Sequence, residues 1–490
     1  MQGRLDFFDG GIEGLIDMRK PLAVLATRMP WGEIEAVLGP KLAHRDRPGQ
    51  VLVDEDLFGA SERVQGSGVS AAGRPRLPVR LMAGLMYLKH LSNLSDEQLV
   101  ERWADSPSWQ FFCGQTHYED RLPCDATQVV RFRQLIGEEG AEYLLKATID
   151  AAVQMGAVKV EQLERVIVDT TVQEKAVAHP TDVRLLEVAR YQVVKAAKAC
   201  GIVLKQTYAK EGKELRIKGA GYAHAKQHKR LQRTVKRQRT ILGVVTREVR
   251  RRLAAPAGAD GGGAGGCGPK ETALKVVLGR AEKLQKQKPK DKGKLYAMHA
   301  PEVECISKGK ARKPYEWGVK TALVVAHECS LVLGARTFPG NPFDGHILNG
   351  VLEQSTNLMQ DLKVKIKEVV ADLGFRGKSV DEANPGVTII HRGRYKSMTE
   401  EQRKWLKRRP AIEPVIGHVK ADHRMQKCWL KGEVGDAVHA IHCAAGFNVA
   451  WLMRAIMRLG LKAAFLRRLI AMLSMPLLPI SGPKLVLSQH

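Results

Sequence analysis

The hydrophobic pattern of the chain changes its period near residue 165, and this change constrains the fold more than any other feature. From Pro78 to Ile136, apolar residues recur every three or four positions, as in amphipathic helices. From Val166 to Val168, three β-branched residues stand in a row before Asp169-Thr170-Thr171-Val172, which is typical of a buried strand with a carboxylate at or near its end. We therefore expect an α/β fold rather than a helical bundle.

Short helices are predicted in the N-terminal part. Ser95 and Gln98 form a capping-box pattern at the start of one helix, and Asp125 or Thr127 starts another. Short helices joined by turns are compatible with a helix-turn-helix-like DNA reader and equally with an ordinary helical bundle. If the segment contacts DNA, two cations that interleave with the apolar positions of the last helix are the candidates: Arg131 and Arg133.

Further strands are predicted towards the C-terminus. They cover residues 319–325, 330–337, 369–371 and 387–390, and the first two form an antiparallel pair turned around His327-Glu328-Cys329. Asp344 is predicted to cap an amphipathic helix between the second and third of these strands. The mixture of strands and helices is typical of a mixed sheet covered by helices.

The charge of the chain points to a polyanionic partner. Lys and Arg number 78 against 52 Asp and Glu, which gives a net charge of +26. Hydrophobic residues make up 44%, as in a folded protein, whereas the 6% of aromatic residues argues against a binder that works mainly by stacking bases. Nucleic acid is the polyanion that such a charge favours.

Much of this charge lies in one segment. Between Lys210 and Arg252, fifteen Lys and Arg stand against three acids, a net charge of +12. An apolar stripe from Leu231 to Leu253 leaves the cations on the other faces, whereas a merely solvated helix would carry a more even mixture of signs. The candidate phosphate contacts in this segment are Arg230, Arg233, Lys236 and Arg237. Seven glycines between residues 254 and 268 predict a flexible linker.

The cysteines and apolar segments predict a compartment. The eight cysteines are scattered and contain no Cys-x-x-Cys pair, so we expect reduced thiols rather than a disulfide framework or structural zinc. Residues 1–10 have no signal-peptide pattern, and the apolar stretch 437–453 is interrupted by His439, His442 and Asn448. That stretch looks too short and too polar to span a bilayer, so a soluble cytoplasmic protein without a membrane partner is expected.

Three carboxylates stand out by position. Asp169 and Asp372 follow short apolar strands, and Glu413 begins a basic helical segment. Two carboxylates at a sheet edge and one from a covering helix can hold two Mg²⁺ ions about 4 Å apart. Lys420, two helical turns after Glu413, shares its face, and Arg409 lies just before that helix. Taken alone, each acid is more often a turn or cap residue than a functional one.

Three motifs resemble those of the DDE transposases of bacterial insertion sequences, in the IS-four/IS-five superfamily. The first is Asp169-Thr170-Thr171-Val172 on a strand. The second, Asp372-Leu373-Gly374-Phe375-Arg376-Gly377, is close to the family's Asp-x-Gly-Tyr-Arg-Gly. The third is the family's Tyr-x2-Arg-x3-Glu-x6-Lys, matched by Arg409, Glu413 and Lys420, with Leu406 in place of the Tyr. The resemblance covers most of residues 74–455 and includes segments 308–318 and 339–346.

The resemblance implies an architecture. It predicts an RNase H-like mixed β-sheet core with an N-terminal helical domain and a large basic helical insertion. The expected units are an N-terminal DNA-binding or dimerisation domain over 1–150, a catalytic core over 160–178 and 301–430, the insertion over 179–300 and a C-terminal helical tail over 431–490. Asp372 is preferred over Asp344 as the second catalytic acid, because capping explains Asp344.

The resemblance also implies a reaction. Asp169, Asp372 and Glu413 would bind two Mg²⁺ ions, for which Mn²⁺ is an expected substitute, and catalyse cleavage at the ends of the element and 3′-OH transfer into target DNA. Arg409 and Lys420 would contact DNA. The partners would be terminal inverted repeats, target DNA and a second copy of the chain, in a nucleoid-associated homodimer or larger assembly. The alternatives are a metal-dependent nuclease or resolvase that does not join strands, and an inactive DNA-binding repressor.

Overall fold

The computed structural model describes residues 11–42, 47–56, 59–68, 76–254, 268–288, 290–307 and 313–473. Its helices are α1 (Pro21–Arg28), α2 (Trp31–Leu42), α3 (Val79–Leu91), α4 (Asp96–Ala104), α5 (Pro107–Phe112), α6 (Ala126–Gln154), α7 (Asp182–Ala199), α8 (Ala209–His224), α9 (His228–Ala254), α10 (Gly268–Lys286), α11 (Asp344–Leu358), α12 (Lys378–Ala383), α13 (Glu400–Lys407), α14 (Ile412–Ala421) and α15 (Gly432–Leu473). Its strands are β1 (Arg47–Asp56), β2 (Gly59–Gly68), β3 (Arg165–Glu174), β4 (Glu304–Ser307), β5 (Tyr315–Ala326), β6 (Val332–Phe338), β7 (Glu368–Val370) and β8 (Thr388–Ile390). Residues 255–267 of the predicted linker and 308–312 of the predicted family segment lie outside the described residues.

A mixed sheet forms the centre of the fold. Its order is β4-β5-β3-β7-β8, and β6 pairs with the same edge of β5 as β4 does. Strands β3, β5 and β6 are antiparallel neighbours, whereas β3, β7 and β8 are parallel. The α/β class, the antiparallel pair and the two short C-terminal strands predicted from the pattern are confirmed.

The first predicted strand is longer than its apolar run. Asp169 lies in the middle of β3, not near its end, because the chain stays paired with β5 as far as Glu174. Thr170 and Thr171 are β-branched and suit this extended pairing. The expected end of the strand at Asp169 is therefore wrong. The hairpin of β1 and β2 was not predicted at all.

Local signals placed the N-terminal helices correctly. The Ser95 hydroxyl accepts the Gln98 N–H at 3.2 Å, and the Gln98 side chain accepts the Ser95 N–H at 3.1 Å, which completes the capping box of α4. Asp125, rather than Thr127, caps α6, and its carboxylate accepts the Thr127 N–H at 2.8 Å. These interactions satisfy helix-start N–H groups that otherwise have no partner.

One continuous hydrophobic core joins the N-terminal helices to the sheet and to α15. Its members include Leu85 on α3, Leu145 on α6, Val324 on β5 and Ile441 on α15. Among the described residues, one helical stretch, Gly432–Gly460, is long and apolar enough by composition to cross a membrane, so the expectation of a stretch that is too short is wrong. Of its most apolar window, 72% is buried inside the protein, as in a core helix.

The insertion between β3 and β4 forms a second core. Helices α7, α9 and α10 enclose it with side chains such as Leu186, Leu242, Val249 and Leu278. The predicted apolar stripe of α9 is confirmed at Leu242, Val245 and Val249, which are buried, while its ends are half-buried. The basic segment is thus a helical bundle with its own interior.

Candidate active site

Parallel pairing brings the first two predicted acids to one place. Ile167 of β3 is level with Val370 of β7, and two residues further along each chain stand Asp169 and Asp372. Asp372 leaves the sheet at the carboxyl end of β7 and begins a 3-10 turn. Side chains two residues apart on an extended chain share a face, so both carboxylates lie on one side of this edge.

The third predicted acid approaches from a helix. A 3-10 turn at Arg409–Ala411 leads into α14, on whose first turn Glu413 stands. Arg409 Nη2 lies 2.9 Å from Asp169 Oδ2 and 3.7 Å from Asp372 Oδ2, and its Nη1 lies 3.4 Å from Glu413 Oε1. Three acids from distant parts of the sequence therefore surround one guanidinium.

The turn that carries this guanidinium is fastened to the sheet. Arg408 donates two hydrogen bonds of 2.6 Å to the carbonyls of His327 and Glu328, in the turn after β5. The ring of Trp405 stacks on the Arg165 guanidinium at 3.4 Å from the ring centroid. Burial, with nearby Arg165 and Arg408, holds the pKa of His327 below its usual value, so its Nε2 donates from a neutral ring to the Trp405 carbonyl at 3.1 Å. Trp405 is thus a structural anchor for the turn.

The charge balance of the cluster favours divalent cations. Asp169 and Arg409 have side chains 18% and 19% exposed, whereas Asp372 and Glu413 are open to solvent. Among the four groups in direct contact, three carboxylates against one guanidinium leave an excess of two negative charges. Carboxylate oxygens are hard ligands of the kind that Mg²⁺ and Mn²⁺ prefer. The donor set therefore fits the metal ions expected from the sequence.

A cavity of about 310 Å³ adjoins Asp372 and Arg409. Asp372 and Arg409 line it together with Arg392 and Lys407, both exposed, which sequence reasoning missed. The signal for Lys407 was the run Lys407-Arg408-Arg409 inside the third motif, and the signal for Arg392 was its place two residues after the last strand. A cavity with three cations beside the carboxylates has the charge to hold a phosphodiester.

Asp344 is structural, but it does not cap its helix as expected. It is the first residue of α11, whose N-cap position is Phe343. Its carboxylate pairs with Lys320 at 3.0 Å and accepts from the Thr170 hydroxyl at 3.3 Å. A Cβ added at Gly374 would lie 2.8 Å from Asp344 Oδ2, which explains why the second motif has glycine there.

The other predicted DNA contacts lie in different environments. Arg230, Arg233 and Lys236 are exposed on α9, Arg131 is exposed on α6, and Lys420 is half-buried on α14. Arg237 is also exposed, but it forms a two-point pair with Glu211 at 2.6 and 3.0 Å.

The prediction that Arg133 contacts DNA is wrong. Its side chain is 6% exposed and donates to Asp96 at 2.8 Å, next to Lys89. The guanidinium completes a buried ion network instead of facing DNA, because it lies on the core side of α6. Arg131, two residues earlier, points to solvent and stays a predicted contact.

Comparison with known proteins indicates the class of the protein. Residues 50–135 match the family model "Transposase domain (DUF772)", so the class indicated is that of a transposase-type protein. A Rhizobium meliloti protein, "Uncharacterized protein ORF8 in nfe locus", is 40% identical over 225 residues, which is 46% of this chain and 96% of that protein. The chain therefore belongs to the same transposase-like family as that protein. No solved structure is significantly similar to the chain.

Proposed function

We propose that the protein is a DDE transposase, which cuts DNA at the ends of an insertion sequence and joins the freed 3′-OH groups to target DNA. One observation carries the proposal. Asp169, Asp372 and Glu413 come from two parallel strands and a helix, and all three contact Arg409. A cluster that served only as caps or turns would have no reason to collect three carboxylates at one sheet edge.

The order of the strands supports an RNase H-like core. An antiparallel meander of β3, β5 and β6 is followed by α11 and then by β7 and β8, both parallel to β3. The first acid stands on the first strand of the meander, the second after the first parallel strand and the third on a helix after the last strand. The types of element that carry the three acids, and the order of the acids along the chain, agree with the family motifs.

Asp169, Asp372 and Glu413 would hold two Mg²⁺ ions, or Mn²⁺ in their place. When bound, such ions activate a hydroxyl nucleophile and stabilise the leaving oxygen of a phosphodiester. Water would be the nucleophile in cleavage and the 3′-OH in joining, so no covalent bond between protein and DNA is required.

The chain's own cations would position the DNA. Arg409, Arg392 and Lys407 would bind phosphates beside the scissile bond, with Lys420 on the same helix as Glu413. The exposed face of α9, with Arg230, and Arg131 on α6 would hold more distant phosphates of the terminal repeats or target. Two ends must be held together, so we propose a homodimer or larger assembly on nucleoid DNA in the bacterial cytoplasm.

Isosteric replacement of the acids tests the proposal. We expect Asp169→Asn, Asp372→Asn and Glu413→Gln each to lower Mg²⁺-dependent cleavage of DNA carrying the element ends by more than about a thousandfold. Binding of the same DNA, measured by fluorescence anisotropy, should be retained. The matched control is Glu401→Gln, an exposed acid on α13, which should cleave normally. Normal cleavage by any of the three variants would remove that residue from the active site.

A second assay separates transposition from simple cutting. Supplied with pre-cleaved ends and a target plasmid, the wild-type protein should yield joined products. Hydrolysis without joining would indicate a nuclease or resolvase, and specific binding without either product would indicate a repressor.

A further inference from the structure

A cluster of nitrogen and sulfur donors lies in the core, apart from the carboxylates. His90 comes from α3, and His439 and Cys443 come from α15. Cys443 Sγ lies 3.5 Å from His90 Nδ1 and 3.7 Å from His439 Nε2, and the three ligand atoms are all within 4.8 Å of one another. Each residue is at most 4% exposed.

The packing of two helices creates this cluster. His439 and Cys443 are four residues apart, so they lie on the same face of α15. Gly446, on the next turn, lets α3 come close: a Cβ added there would lie 2.6 Å from the Cβ of His90 and 2.7 Å from its carbonyl carbon. The donor set is therefore held by rigid helices.

The distances match the edges of a metal tetrahedron. With zinc–sulfur bonds of about 2.3 Å and zinc–nitrogen bonds of about 2.0–2.1 Å, a tetrahedral site has sulfur–nitrogen edges of about 3.6 Å. The two edges here are 3.5 and 3.7 Å. Imidazole and thiolate are also the ligands that zinc selects over the hard cations suited to the carboxylate cluster.

A fourth nitrogen lies beside the cluster without a partner. His442 stacks on His90 with ring centroids 5.5 Å apart, and its Nδ1 hydrogen-bonds to the Val438 carbonyl at 2.7 Å. Because Nδ1 must then carry the proton, Nε2 is left as a buried lone pair, and it has no hydrogen-bond partner in the described part of the chain. His442 therefore packs against the edge of the cluster, and its nitrogens are not among the three ligand atoms that lie within 4.8 Å of one another.

We propose that His90, His439 and Cys443 form a structural zinc site that fastens α3 to α15. Binding of Zn²⁺ would replace the thiol proton of Cys443 and the proton that His439 Nε2 donates to the Arg424 carbonyl at 3.1 Å. The thiol proton would leave to solvent, and the His439 proton would move to the other ring nitrogen. A zinc–sulfur bond thus replaces the sulfur–hydrogen bond of Cys443, and a zinc–nitrogen bond replaces the Nε2–hydrogen bond of His439. No oxidant is involved.

The charges around the trio determine which ligand must be anionic. Lys89, Arg133 and Arg424 add positive charge nearby. A divalent cation beside them requires an anionic ligand, which only the Cys443 thiolate can supply within the trio.

The metal content of the full-length protein tests the site. Purified from zinc-supplemented medium and washed with excess Mg²⁺, the wild-type chain should carry one zinc ion per chain by mass spectrometry of the metals. Cys443→Ser and His439→Gln should each reduce this to below about one tenth. Cys113→Ala, a buried cysteine in the same core, and Asp169→Asn, in the carboxylate cluster, should keep the zinc.

A second measurement uses only the wild-type protein, so misfolding of a variant cannot affect its result. The metal-free wild-type protein, loaded with Co²⁺, should show tetrahedral ligand-field bands and a thiolate-to-cobalt charge-transfer band. Its thermal midpoint should rise by several degrees on addition of Zn²⁺. A zinc-free protein whose midpoint ignores Zn²⁺ and whose cobalt form lacks the thiolate band would overturn the proposal. The cluster would then be a hydrogen-bonded part of the core only.

Discussion

At the scale of single residues, Arg409 is the residue on which the arrangement of the acids depends most. It is the common counter-charge of three carboxylates, and its Nε is buried without a hydrogen-bond partner in the described residues. Without metal, the guanidinium limits the repulsion between the acids. If the proposed Mg²⁺ ions bind the same oxygens, this role would pass to them, and the guanidinium would become available for phosphate.

Arg409→Gln should therefore change the response of the protein to Mg²⁺. Without divalent cations, we expect its free energy of unfolding to fall by about 1–3 kcal/mol, because a partly buried charge cluster loses its cation. The rise in thermal midpoint produced by millimolar Mg²⁺ should be larger than in the wild type, since the metal now supplies the only counter-charge. Cleavage should fall as well.

Arg408→Gln is the control, because this neighbour bonds only to backbone carbonyls. It should destabilise the turn without increasing the effect of Mg²⁺. An equal Mg²⁺ response in Arg409→Gln and the wild type would show that the guanidinium and the metal ions do not compete for these acids.

At the scale of elements, α9 carries a cationic face whose members differ in availability. Arg233 and Lys236 are exposed, whereas Arg237 is neutralised locally by Glu211 on α8. The number of counterions released on DNA binding is set by the number of phosphates that cations neutralise. A cation already paired with a carboxylate adds little to that number.

Replacing Arg233 and Lys236 by Gln should lower the affinity for DNA and flatten its salt dependence. The slope of log K against log salt concentration should decrease in magnitude by about 1.8 for two lost phosphate contacts. Removing the pair by Glu211→Gln with Arg237→Gln keeps the net charge and should leave the slope unchanged. The same slope in the first variant and the wild type would mean that α9 faces something other than DNA.

The individual helices and strands also show where prediction from the sequence succeeds. Helix starts at Ser95 and Asp125 and the strand before Asp372 follow from local rules, and they were found. The continuation of β3 past Asp169 depends on pairing with β5, so its apolar run could not reveal it. The burial of Arg133 and the meeting of His90 with Cys443 likewise depend on which helix packs opposite, and spacing along one chain does not contain that information.

At the scale of the whole molecule, the two larger hydrophobic cores divide the protein into two parts, each with its own buried interior. The main core joins the N-terminal helices, the sheet and α15, while the insertion bundle encloses its own. A buried ion network at their junction, Lys175 with Glu302 and Asp436 at 2.8 and 2.5 Å, fastens the root of the insertion. Separate interiors allow separate unfolding units.

Unfolding should therefore occur in two transitions that different probes separate. All seven tryptophans lie outside residues 179–300, and the buried ones, Trp31, Trp103, Trp109 and Trp451, lie in the main core. Tryptophan fluorescence therefore reports mainly on the main core, whereas far-ultraviolet circular dichroism reports on both. Leu242→Ala, in the insertion core, should destabilise one transition by about 2–5 kcal/mol and leave the fluorescence midpoint in place. Leu85→Ala, in the main core, should lower the fluorescence midpoint by a comparable free energy. If both substitutions moved both signals together, the junction at Lys175 would couple the two cores into one cooperative unit, and the insertion could not unfold independently of the main core.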